Sequence, residues 1–416
     1  MNTLAMLVGG GPAPGINGVI AAATIEARNH GARVLGLCDG FKWLAQGDTS
    51  HVIELEIDGI SRIHFEGGSI LRTSRTNPTK SPETLRNVIE ALDTLGVSCL
   101  LTIGGDDTAF AAYRLSEAAN GRIAVAHVPK TIDNDLPLPQ EVATFGFTTA
   151  CNLGKDIVQN LMDDAETTDR WFFITVMGRR AGHLALGIGG AAGATLTVIG
   201  EEFAEPKIPL QTLVDILEGA VIKRRASGKG YGVAILSEGL ADKLDPAEFG
   251  SVERDGYGNI RLSELVLGRV LKERVAESLR ARGIDVTIVA KDIGYELRCA
   301  PPGALDIQYC RSLGYWATRF LLNGQRDAMV TIQGGKMVPI PFREMLDHRT
   351  GKTRVRYVDI DSESYQTLRA YMIRLEPQDF DTSEQIEALA RGGHLESTAF
   401  AHRFGYLGRR TKGSSQ

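Results

Sequence analysis

The chain has 416 residues, 43% hydrophobic and 23% charged, an ordinary globular composition with room for two or three domains at roughly 150 residues each. A formal net charge of −5 argues against nucleic acid or an acidic membrane surface as the main partner, since both select a basic face. Five scattered cysteines with no C-x-x-C pair argue against a zinc site or a disulfide framework and read as reduced thiols. The short apolar run at 1–8 leads directly into glycines without a basic flank, so it does not read as a secretion signal. No run of about 18 apolar residues is present. These features predict a soluble, cytoplasmic protein.

In chain order, residues 4–8 read as a short apolar strand, followed by Gly9, Gly10 and Gly11 and by a helix over 16–28. A second strand is predicted at 33–37. A helix over 81–95 carries Pro82 in its first turn and Glu83 near its positive end. Strand 99–103 runs into a loop at 104–108, and a helix follows over 109–119. Strand 123–128 ends at Pro129. The second half repeats the rhythm, with strands at 171–176, 231–236, 285–290 and 329–332. Between them lie a small-residue-rich helix or turn at 187–194 and a long amphipathic helix over 263–282. From about 361 the pattern is helical, with a polar end at 409–416 that is expected to fray. Alternating strands and helices of this kind form parallel sheets with helices on both faces. The expected fold class is therefore α/β, in two Rossmann-like three-layer lobes. The active site is expected in the cleft between them, at the carboxyl ends of strands.

Three loops that follow predicted strands carry the chemistry. In the first, Gly9-Gly10-Gly11-Pro12-Ala13-Pro14-Gly15, the glycines let backbone N–H groups approach a phosphate ahead of a helix N-terminus. It matches neither the Walker pattern nor G-x-G-x-x-G, and by itself it reads equally well as a structural turn. The second, Gly104-Gly105-Asp106-Asp107-Thr108, pairs two carboxylates whose mutual repulsion calls for a cation, with magnesium the natural one at a phosphate site. The same residues also suit a helix N-cap. The third, Pro129-Lys130-Thr131-Ile132-Asp133-Asn134-Asp135, sets two acids at i and i+2 beside a lysine, which suits base catalysis; an Asx-turn is the alternative.

Taken together, in this order, the loops resemble the phosphofructokinase family. So do Gly67-Gly68 with Arg75, Met177-Gly178-Arg179, Ser237-Glu238-Gly239 and Gly294-Tyr295-Glu296-Leu297-Arg298. The resemblance spans roughly residues 1–365. It implies that Asp133 is the general base on the sugar 1-hydroxyl, with Thr131 and Asp135 beside it, and that Arg179 stabilises charge on the phosphoryl group in flight. It implies that Met177, Gly178 and Glu238 contact the sugar, that Arg298 grips the 6-phosphate, and that Tyr295 stands where nucleotide-dependent members have histidine. Arg170 matches an arginine that reaches into the neighbouring subunit's site. Gly10, Gly11, Arg75, Asp107, Thr108 and Lys130 fall on the donor side, and Asp106 on Mg2+. The implied division is a donor lobe of 1–146 plus about 297–347, a sugar-phosphate lobe of 147–296 plus about 348–365, and a helical extension from about 366 to 416.

On the donor side the chain departs from the ATP-using pattern. Where those members carry GGDGS and PGTIDND, this chain has Asp107 and Lys130 in place of glycine. Both changes resemble the diphosphate-dependent branch: a carboxylate at 107 repels a phosphate chain that continues toward adenosine, and a lysine at 130 serves a compact, highly charged donor. Mutual neutralisation of the two is the alternative reading. The expected substrates are fructose 6-phosphate and diphosphate, in a reversible transfer by a homodimer or homotetramer with sites completed across the interface. ATP as donor, a related sugar phosphate such as sedoheptulose 7-phosphate, and a catalytically silent regulatory subunit are the alternatives. A dinucleotide-dependent oxidoreductase is excluded by the missing G-x-G-x-x-G after the first strand.

Overall fold

The computed structural model describes residues 1–245, 248 and 267–410. Two expectations reach beyond these: the start of the helix predicted from 263 and the polar end at 411–416 lie outside the described residues. The chain divides into two compact units, one of Met1–Ala150 with Tyr295–Arg356 and the other of Cys151–Gly294 with Tyr357–Gln416.

The first unit contains strands β1 (Thr3–Val8), β2 (Arg33–Leu37), β3 (Val52–Glu54), β4 (Cys99–Gly104) and β5 (Ala124–Pro129). Its helices are α1 (Ile16–Asn29), α2 (Ile57–Ile60), α3 (Pro82–Thr94) and α4 (Asp106–Ala119). The second unit holds most of α5 (Phe147–Thr168), then β6 (Trp171–Val176), α6 (His183–Ala192), β7 (Leu196–Val198), α7 (Leu210–Ala226), β8 (Gly232–Ser237), α8 (Leu267–Arg280) and β9 (Ile288–Ile293). The chain returns to the first unit for α9 (Tyr295–Arg298), α10 (Ala304–Leu322), β10 (Ala328–Gln333) and β11 (Lys336–Pro341). It ends in the second with α11 (Glu363–Ala370), α12 (Ser383–Gly392) and α13 (Ser397–Arg410).

The first unit's sheet has the order β11-β10-β5-β4-β1-β2-β3, parallel except at its two edges. Strands β1 and β4 are buried along their whole length, as expected of parallel strands covered on both faces. Helices α3 and α4 cover one face, where Val88, Leu92 and Leu115 pack with Leu7, Leu100 and Val125. Helices α1 and α10 pack together on the other. Ser81 caps α3 through a reciprocal capping box with Thr84, and Pro82 sits in its first turn.

The second unit's sheet, β7-β8-β6-β9, is wholly parallel. Strand β9 begins three residues later than the 285 predicted. It is an edge strand whose exposed Lys291 and Asp292 break the apolar run that would mark it. The short β7 and the edge strands β3 and β11 carry too little apolar pattern to be read from sequence.

The helical C-terminal stretch is part of the second unit's core. Leu375, Leu389, Phe400 and Phe404 pack in one cluster with Trp171 and Phe173 of β6 and Leu213 and Leu217 of α7. Charge anchors it as well. Arg374 is 6% exposed and pairs with Glu202 at 2.6 Å, while its carbonyl accepts from Lys223 Nζ at 2.8 Å. Removing one partner of a buried pair strands the other charge, at about 3–5 kcal/mol. Arg374→Met is therefore expected to lower the urea unfolding free energy by about that amount, and a further Glu202→Gln change should recover much of it. A single-variant loss below about 1 kcal/mol, the size of a surface pair, would mean the pair does not anchor the extension.

Candidate active site

Strands β5, β4 and β1 are neighbours in one parallel sheet, so the three loops leave it side by side. The register pairs Val8 with Ile103 and Gly104 with Pro129. Crossing the strand ends, the Gly9 amide donates to the Ile103 carbonyl at 2.9 Å and the Lys130 amide to the Gly104 carbonyl at 2.8 Å. The fit leaves no room for side chains on the glycines: a Cβ on Gly9 would lie 2.4 Å from Thr108 Oγ1, and one on Gly104 2.3 Å from Thr108 Cβ. Glycine there lets Thr108 sit between two backbones.

Asp106 and Asp107 stand in the first turn of α4, where the helix dipole favours negative charge. The helix starts three residues before the predicted 109, and its N-cap is Gly105 without a side-chain cap bond. The N-cap reading of the two acids is thereby corrected: they are helical residues behind the cap. Lys130 is 3% exposed, and its Nζ donates to the Gly11 carbonyl, tying the lysine to the glycine loop. Thr73 donates its hydroxyl to the Gly10 carbonyl at 2.5 Å and the Gly10 amide donates to the Ser74 carbonyl at 2.9 Å, so the segment that carries Arg75 lies along the same loop.

Asp133, Asn134 and Asp135 are all buried. The Asp133 amide donates to Thr131 Oγ1 at 3.0 Å, a local hydroxyl-to-backbone turn. Asn134 has a left-handed backbone (φ 57°), and its Oδ1 accepts from the Thr144 amide at 2.9 Å. Thr144 in turn donates its hydroxyl to the Thr131 carbonyl at 2.6 Å, closing the loop. Oδ1 of Asp133 is buried and has no hydrogen-bond partner. Buried polar atoms without partners are rare in folded proteins, and a catalytic role or a missing water or ion is among the reasons for one.

Tyr295 and Arg298 also belong to the first unit. The Arg298 guanidinium stacks over the Tyr295 ring at 4.9 Å, and a Cβ on Gly11 would lie 3.2 Å from its Cζ. Arg298 thus sits against the glycine loop.

The second unit gathers another set. Met177, Glu238 and Gly294 follow β6, β8 and β9, where Val176 is in register with both Ser237 and Ile293. Glu238 is 5% exposed, and its Oε2 accepts from the Gly178 and Arg179 amides, each at 2.8 Å. Arg179 has a left-handed backbone (φ 51°), an unfavourable state for a side-chain-bearing residue that this carboxylate holds in place. Glu201, unflagged by the sequence, accepts the Gly182 amide at 2.8 Å at the far end of the same loop, and burial raises its pKa. Arg170 does not join this set. It precedes β6 while Met177 follows it, so about 20 Å of strand separates them. Its side chain lies 3.7 Å from Asp164.

Sequence reasoning also missed His127. It is fully buried on β5, with Nε2 3.0 Å from the Gly104 carbonyl and Nδ1 2.8 Å from Thr102 Oγ1. A carbonyl only accepts, so Nε2 carries the proton and Nδ1 receives the threonine hydroxyl. A lone histidine within an apolar strand was the available signal.

Residues 3–321 match the family described as Phosphofructokinase. The chain is 50% identical over 417 residues to the pyrophosphate--fructose 6-phosphate 1-phosphotransferase of Naegleria fowleri, covering 97% of this chain and 95% of that one. It is also 50% identical over 409 residues to the protein of the same name from Thermotoga maritima, covering 96% and 97%. Among solved structures, the pyrophosphate-dependent phosphofructokinase from Nitrosospira multiformis aligns with a TM-score of 0.67 at 19% identity, over 90% of this chain and 92% of that one. Phosphofructokinase from Saccharomyces cerevisiae aligns at 0.66 and 19% identity, and here the chain spans 51% of the yeast chain. At these identities the structures speak for the fold. The chain belongs to the phosphofructokinase family.

Burial, with the nearby Lys130 charge adding to it, holds His127 at a pKa of about 3 against an ordinary 6.5. The folded form therefore stays neutral where the unfolded chain takes up a proton. The stability this confers is complete above pH 6.5 and is lost as pH falls toward 3. Against His127→Gln, the wild-type chain is expected to lose about 2–3 kcal/mol more unfolding free energy between pH 7.5 and 4.5. Parallel stability curves would contradict the buried neutral imidazole.

Proposed function

We propose that this chain transfers a phosphoryl group from diphosphate to the 1-hydroxyl of fructose 6-phosphate, giving fructose 1,6-bisphosphate and orthophosphate. The observation that carries the chemistry is the buried, unpartnered Oδ1 of Asp133, on a loop fixed at both ends. Two relatives of near-full length and 50% identity bear this activity in their names. As the sugar O1–P bond forms and the P–O–P bond of diphosphate breaks, the 1-hydroxyl proton passes to the Asp133 carboxylate and orthophosphate leaves. We assign Thr131 to holding the base through its hydroxyl, Asp135 to the field around it, and Arg179 to the charge on the transferring group.

The donor assignment rests on Lys130 and Asp107. The lysine is buried and its ammonium lies on the Gly11 carbonyl, where a short, highly charged donor gains from it. Asp107 opposes a donor that continues past its second phosphate. Gly10, Gly11, Thr108 and Arg75 complete the donor side in this reading, and Met177, Gly178, Glu238, Tyr295 and Arg298 the sugar-phosphate side.

The described residues contain no group of three or more acidic, histidine or cysteine side chains able to hold a metal. A small all-oxygen set fits Mg2+, which takes one or two carboxylates and leaves the remaining positions to phosphate oxygens and water. When bound, it would be held by Asp106 and would neutralise phosphate charge. We further place the enzyme in the cytoplasm as a homodimer or homotetramer, with Arg170 serving a neighbouring copy's site. Its five cysteines are free, and among the described residues no helix is long and apolar enough to cross a membrane.

Asp133→Ser is expected to lower kcat by about 10²–10⁴-fold while leaving the KM for fructose 6-phosphate within about threefold, since only the transition state needs the base. A loss below about tenfold would remove Asp133 from that role. Asp107→Gly combined with Lys130→Gly should weaken diphosphate use and admit ATP. Undetectable ATP binding in that double variant would mean other residues set donor choice.

A further inference from the structure

Arg356 is 6% exposed, and its donors converge on the segment that follows the catalytic base. Nε donates to the Asn134 carbonyl at 3.0 Å and Nη2 to Asn134 Oδ1. Nη1 donates to the carbonyls of Pro139 at 2.7 Å and Val142 at 2.8 Å, with Leu138 at 3.4 Å. The Arg356 amide donates to the Asp135 carbonyl at 2.8 Å. Every one of these acceptors lies between 134 and 142. Burial pulls the guanidinium pKa down, with the Asp135 charge opposing it.

We propose that Arg356 is a positioning residue for Asp133, its buried guanidinium fixing the 134–142 segment and so the aim of the base. The proposal rests on the phosphotransferase reading above. A planar fork with donors in several directions is what this web of carbonyls requires, and a lysine ammonium cannot reproduce it. Asn134 alone takes both Nε and Nη2, which holds the residue next to the base in its left-handed state. Carbonyl acceptors spread over several residues tie a proline-containing loop that has no helix or strand of its own. A displacement of about 1 Å at a reacting group costs about 10²-fold in rate, so a loop held this way acts on kcat more than on binding.

The test uses the full-length chain carrying Arg356→Ala or Arg356→Lys. Each variant is assayed in steady state with diphosphate and fructose 6-phosphate, and amide hydrogen exchange is followed by mass spectrometry. Both variants are expected to melt cooperatively and to lose kcat by about 10²-fold, with both KM values within about threefold. Millimolar guanidinium, far below denaturing levels, should restore part of the kcat of Arg356→Ala and none of that of Asp133→Ser. Folded variants with kcat within about threefold of wild type, or a loss confined to KM, would overturn the proposal. Failure of both variants to fold would also overturn it, because the residue would then be structural first. A wild-type chain inactive with this substrate pair would instead sink the phosphotransferase reading. Hydrogen exchange then decides the loop question: acceleration confined to 131–144 in Arg356→Ala supports the proposal, and unchanged exchange there overturns it.

Discussion

The carbonyl of Gly104 accepts two hydrogen bonds, from the buried imidazole of His127 and from the backbone amide of Lys130. The three loops of the first unit lean on that atom. It ends β4 just before the acids Asp106 and Asp107, and it fixes the start of the loop that carries Lys130 and Asp133. The glycine loop after β1 is drawn in beside it, through the Gly9 amide on Ile103 and through Lys130 Nζ on Gly11. Because β5, β4 and β1 are adjacent and parallel, no long side chain has to bridge the three loops.

Both units use the same device on a different scale. A candidate catalytic residue sits on an irregular loop, next to or in a left-handed backbone conformation, and a buried group holds the strained segment by bonding to its backbone. In the first unit the holder is the Arg356 guanidinium on carbonyls around Asn134. In the second it is the Glu238 carboxylate on the amides of Gly178 and Arg179. Strain of this order, about 1–3 kcal/mol per residue, persists only where the surroundings over-determine the backbone. It also changes the reading of Glu238: one carboxylate oxygen is committed to the loop, so any contact this residue makes with sugar is added to a holding role.

Much of the candidate site could be read from the sequence because its residues lie in short contiguous runs. The strand-loop-helix rhythm set Gly9–Gly11, Asp106–Thr108 and Lys130–Asp135 at strand ends, and the sheet order brings them together. The groups that hold those loops could not be read. His127 is an isolated polar residue in an apolar strand, and Glu201 and Arg356 act on segments tens to hundreds of residues away. Nothing local marks such partners, because their acceptors are backbone atoms with no sequence signature. The C-terminal helices show the same limit: amphipathic periodicity predicted them, but only the packed core shows that Phe400 and Phe404 share a cluster with β6 and α7.

In the proposed reaction the phosphoryl donor is diphosphate and fructose 6-phosphate receives the group. Phosphorus NMR of the purified chain with magnesium and fructose 6-phosphate, given diphosphate in one tube and ATP in another, tests it most directly. Diphosphate is expected to give the 1-phosphate resonance of fructose 1,6-bisphosphate with one orthophosphate per turnover, while ATP is left intact. Turnover of ATP with diphosphate untouched would contradict it.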